Sequence, residues 1–146
     1  MNSQTELKIQ QGIREAEDDL VRLIESALDT ANRGDLQESQ FRNLVRVADT
    51  TSSAEVIKNF LRYQTGRDKK WGRGEASLAE RIIKDIGDID RGGALIERSR
   101  KIAEAVSTTE FKPIWIELIR RYLGYGSRYL KYLNDGKKEQ SNQKTS

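Results

Sequence analysis

The chain of 146 residues contains no cysteine and no histidine. Without thiols there is no disulfide, no thiolate metal site and no cysteine nucleophile. Without imidazole there is no Ser-His-Asp triad and no H-E-x-x-H zinc motif. Acid–base chemistry falls to carboxylates, lysine or tyrosine, and a carboxylate-only Mg²⁺ site stays open. Proline occurs once. No apolar run approaches the length of a membrane span. The first residues, "MNSQTELKIQQ", lack the basic start and apolar middle of a secretory leader, so the expected location is cytoplasmic.

Charge is abundant. Hydrophobic residues make up 36% and charged residues 34% of the chain, which suits one modest core in one domain. The net charge of +3 conceals an asymmetry. Residues 1–57 hold 6 basic and 11 acidic side chains, a balance of −5; residues 58–146 hold 20 and 12, a balance of +8. A basic C-terminal portion suits phosphate binding, because neutralised phosphates release condensed counterions. The densest acidic run, "EAEDD" at 15–19, shares its helix with Arg14 and Arg22 and reads as a solvated face.

Helical spacing dominates. Ile9, Ile13, Ala16, Leu20, Leu23, Ile24, Ala27, Leu28 and Ala31 recur as one face of a long first helix. Ser3/Glu6, Asp35/Glu38, Ser52/Glu55 and Ser77/Glu80 have the spacing of capping boxes and predict four helix starts. "GDIDRGG" at 87–93 breaks the fourth helix. A fifth is predicted over 94–106, and a last one opens near Thr109, takes Pro113 in its first turn and ends near Leu133. No stretch alternates with period two for long enough to make a strand. The prediction is an all-α, compact bundle of five to six helices, with one domain at 1–134 and a disordered polar tail at 135–146.

Two segments draw attention as polyanion contacts. "NFLRYQTGRDKKWGRG" at 59–74 is not a P-loop, since no G-K-[ST] follows its glycines. Its helix is expected to bury Phe60 and Tyr63. Lys58 and Arg62 share a face turned from Phe60, and Arg67, Lys69, Lys70 and Arg73 surround Trp71. Arg67 also fits a helix C-terminus. Trp71 either stacks on a base or covers the bundle's edge, and its apolar area favours the edge. On the last helix, Trp115, Leu118, Tyr122, Tyr125, Tyr129 and Leu133 fall on one side, the pattern of a packed stripe. Arg120, Arg121, Arg128 and Lys131 lie opposite, with Glu117 and Gly124 between them.

Three ordered pieces, "SQFRNL" at 39–44, "YQTGR" at 63–67 and "RYLGYGSRYLKYL" at 121–133, together resemble the Csm-type small subunit of type III CRISPR effector complexes. Gly124 and Tyr125 stand where that family usually has a glutamate-alanine pair. The resemblance implies a non-catalytic, all-helical subunit with no cofactor and no metal. It implies copies packed along a ribonucleoprotein filament, beside backbone and large subunits, touching guide RNA and single-stranded target RNA. Arg42, Arg67, Arg121 and Lys131 match basic motif positions; Tyr63, Tyr122 and Tyr129 match aromatic ones. The resulting expectation is sequence-independent RNA-backbone binding through Arg42, Lys58, Arg62, Arg67, Lys69, Lys70, Arg73, Arg120, Arg121, Arg128 and Lys131, in antiviral defence. Sequence would be read by guide–target pairing. The alternative is a helical DNA-binding regulator using residues 52–68 as a recognition helix. No motif speaks for an enzyme.

Overall fold

The structure is a computed structural model that describes the backbone of residues 3–67 and 69–144, with the side chains of these except 67, 69 and 138–144. Its frame is a pair of long helices, α1 (Ser3–Thr30) and α6 (Lys112–Lys144). The three-and-four spacing of Ile9, Ile13, Ala16, Leu20, Ile24, Ala27 and Leu28 makes one buried stripe along α1,. The two helices run in the same direction: Glu17 pairs with Arg121, Ile24 lies against Gly126, and Asp29 meets Tyr129. A Cβ on Gly126 would come within 2.6 Å of Phe41 and 2.7 Å of Ile24, so glycine there sets how closely α6 packs.

α2 (Glu38–Thr50) runs against α6, with Phe41 at Gly126 and Ala48 at Arg120. After residues 51–53 the chain enters α3 (Ala54–Arg67), which packs on α2. A 3₁₀ turn, Lys69–Trp71, then lays Trp71 against Phe41 with ring centroids 5.7 Å apart. α4 (Leu78–Ile86) and α5 (Ala94–Ala105) cover the remaining side of α1. Asn32 ties the end of α1 to the start of α4: its N–H donates to Ala76 O at 2.8 Å and its carbonyl accepts from Leu78 N at 2.7 Å. Gly72, at φ 78°, passes so close to the Asn32 carbonyl that no side chain fits,. Among the described residues there is no strand, and one core cluster draws on all six helices.

Three predicted boundaries shift. Ser77 caps α4 as expected, its Oγ accepting from Glu80 N at 3.1 Å. At α2 the exchange is between the Gln37 N–H and the Gln40 side chain, 2.8 Å, and not between Asp35 and Glu38. At α3 the capping hydroxyl belongs to Ser53, which accepts from Val56 N at 3.3 Å, and not to Ser52. The third shift is the largest. The backbone stays helical to Lys144, where the sequence predicts an end near Leu133 and a disordered tail from 135. The lysine, glutamate and glutamine there are good helix formers, and Lys131 reaches Asp135 one turn on, at 3.0 Å, across the predicted end,.

Candidate nucleic-acid interface

Helix ends leave carbonyls without partners, and several cations of this chain serve them. Lys58 is 2% exposed. Its Nζ donates to Gly87 O at 2.9 Å just past α4, pairs with Glu55 at 2.8 Å and Asp88 at 3.7 Å, and lies 5.9 Å from the Trp115 ring. The neighbouring Ile86 carbonyl accepts from Trp115 Nε1 at 2.8 Å. Arg120 closes α2, donating to Ala48 O at 2.9 Å and Thr51 O at 3.0 Å. Arg33 donates to Leu28 O at 2.9 Å near the end of α1. Arg121 is held by Glu117 at 3.1 Å and by Glu17 of α1. Of the cations expected on RNA, Lys58 is buried, and Arg120 and Arg121 are about one-third exposed and engaged within the bundle. Helical spacing carries the missed signal. Lys58 completes an i, i+3, i+4, i+7 set with Ala54, Ile57 and Leu61, and Arg120 does so with Ile116, Ile119 and Leu123; those six apolar residues are all buried,.

Arg42, Arg62 and Arg73 are exposed, and none makes a hydrogen bond or ion pair among the described residues. Arg128 is exposed with its guanidinium 6.0 Å from the Tyr125 ring. Lys131 is exposed and paired with Asp135; Lys70 is half-buried. Arg67 and Lys69, also expected to bind RNA, lie outside the described side chains. Trp71 is 1% exposed and covers the bundle's edge, the favoured reading. Tyr63 departs from expectation: it is 57% exposed. The buried stripe of α3 is Ala54, Ile57 and Leu61, and a residue two past Leu61 falls about 200° away, on the opposite side. Phe60 is half-buried.

The contacts of Phe41 with Trp71 and Gly126 gather the start of α2, the segment after α3 and the middle of α6 at one end of the bundle. Arg42, Arg73 and Arg128 each stand one or two residues from those contacts, and Arg62 lies in the last turns of α3. Asp35, Glu38 and Glu75 share this end and temper its positive field. Beyond Gly126, Tyr129 donates its hydroxyl to Asp29 at 2.7 Å. That bond foremost, with partial burial and the Asp29 charge, pushes the Tyr129 phenol up to about 12. At the opposite end a cavity of about 670 Å³ between the starts of α1 and α6 is lined by Glu6, Glu110 and Glu117 with exposed Leu7.

Three carboxylates of the densest acidic run are engaged. In the 15–19 run, Glu15 accepts from Gln11, Glu17 holds Arg121, and Asp19 pairs with Arg22 and with Arg98 at 2.8 Å. Among the described residues no three carboxylates gather as a metal site. A second polar cluster is buried: Tyr122 donates to Asp85 at 2.7 Å, and Arg81 reaches the same carboxylate at 3.3 Å. Burial raises the Asp85 pKa, against the lowering pull of Tyr122 and Arg81, and burial first, then the Asp85 charge, drives the Tyr122 phenol well up. The cluster pins α4 to α6.

The fold is an all-α helical bundle. No family model, curated protein or solved structure matches the chain. Among the described residues no helix is long and apolar enough to cross a membrane.

Proposed function

We propose that this chain is a non-catalytic RNA-binding subunit that holds a single-stranded phosphate backbone at the end of the bundle formed by α2, α3, the 69–77 connection and α6. The observation that carries the reading is that Arg42, Arg62 and Arg73 stay exposed without an acidic partner among the described residues, while other cations brace helix ends. The ordered motifs resembling the Csm-type small subunit support placing it in a type III CRISPR effector, with guide and target RNA as ligands and backbone, large and like subunits as neighbours. Reading of duplex DNA by α3 has less support. Its first turn offers buried Ala54 and an acid, Glu55, tied to Lys58, where a recognition helix presents base-reading groups.

The test is fluorescence anisotropy with short single-stranded RNAs of different sequence at stepped salt. Weak binding, indifferent to sequence and falling steeply with salt, is expected. Affinity independent of salt, or confined to one duplex DNA site, contradicts the proposal.

A further inference from the structure

We infer that Tyr132, lying on Tyr129, is a stacking platform for one unpaired nucleobase, so that the ligand is single-stranded nucleic acid bound by base as well as by phosphate. Tyr132 is 68% exposed, the most exposed of the large hydrophobic side chains. Its ring is already stacked on Tyr129, with centroids 5.8 Å apart and planes 25° from parallel, a favourable offset arrangement. Tyr129 is a fixed floor: it is half-buried against the core, and its hydroxyl is anchored to Asp29 of α1 at 2.7 Å. Most of the Tyr132 side chain meets water.

An exposed aromatic ring held in place loses little freedom when a base covers it, and every base has a face to offer, so such stacking tolerates any sequence. Two basic residues of α6 flank Tyr132 in sequence, beside Asp29, Glu25 and Asp135. Arg128 is one turn back on α6 and Lys131 is adjacent, both exposed. Lys131 exchanges Asp135, an exposed pair of small worth, for a phosphate. The tyrosines of α6 thus divide: Tyr122 is core, Tyr125 and Tyr129 are partly covered, and Tyr132 faces the ligand.

The inference rests on the RNA-binding reading, and its test separates the two. The full chain is titrated against a fluorescein-labelled oligoadenylate and against an abasic ribose-phosphate strand of equal length. Wild type is expected to bind oligoadenylate more tightly. Tyr132→Ala should weaken oligoadenylate about fivefold to a hundredfold, the usual worth of one stacked base, and leave the abasic strand unchanged. Tyr132→Phe should retain the preference, since the ring does the stacking. Equal binding of both strands by wild type, or oligoadenylate affinity untouched by Tyr132→Ala, overturns the platform while phosphate binding stands. Binding of neither strand by wild type overturns both.

Discussion

Lys58→Ala tests whether a lysine in the basic part of the chain belongs to the core. The substitution removes a charged hydrogen bond to Gly87 O, with a contribution of about 1.5–3 kcal/mol. The partners Glu55 and Asp88 are 60% and 43% exposed, so those ion pairs add at most about 1 kcal/mol. Truncating the stem opens space beside Trp115, and the net cost is about 3 kcal/mol. For a chain of this size that lowers Tm by about 6–12 °C. Lys58→Met keeps the stem and should lose only about 2 kcal/mol. Far-UV circular dichroism melts measure both variants. RNA affinity, measured well below either melt, should match wild type. An unchanged melt with weakened RNA binding refutes the reasoning and returns Lys58 to the surface.

Other outcomes follow from packing and protonation. Gly124 has no atom within 4 Å of a built Cβ, so Gly124→Ala should stabilise by up to about 1 kcal/mol through helix propensity. Gly126→Ala should lower Tm, because overpacking against Phe41 and Ile24 costs about 1–3 kcal/mol; two equal melts would contradict the described contact. In an alkaline absorbance titration Tyr129 should ionise at about 12, and Asp29→Asn should bring one tyrosine down toward the ordinary value. Because the folded state holds that phenol proton more tightly, its contribution to stability is present below about pH 10 and is lost as pH rises through about 12, which melts at stepped alkaline pH can follow.

The helices were legible because their apolar spacing is local: the stripe of α1, the Ser77 cap and the break at 87–93 all lie within a few residues of what causes them. The roles of cations were not. Arg120 serves a carbonyl 72 residues away and Lys58 one 29 away, and no periodicity says which helix end will arrive beside an exposed-looking side chain. Their place inside an apolar quartet was visible, yet lysine and arginine are so common on wet faces that it carried little weight. Arg42, Arg62, Arg73 and Arg128, expected on a wet face, are exposed. Tyr63 shows the converse limit: it was expected inside with Phe60, yet it falls on the side of α3 away from the buried stripe.

The most direct measurement of the central claim is the salt dependence of single-stranded RNA affinity for Arg42→Ala/Arg62→Ala/Arg73→Ala beside wild type. Each phosphate contact on a single strand contributes about 0.7 to the slope of log affinity against log salt. Loss of three contacts should reduce the slope by about 2. The melt should stay close to wild type, since each exposed substitution shifts stability by only about 0.5 kcal/mol. A slope and affinity equal to wild type in the folded triple variant would contradict the assignment of this end of the bundle to phosphate.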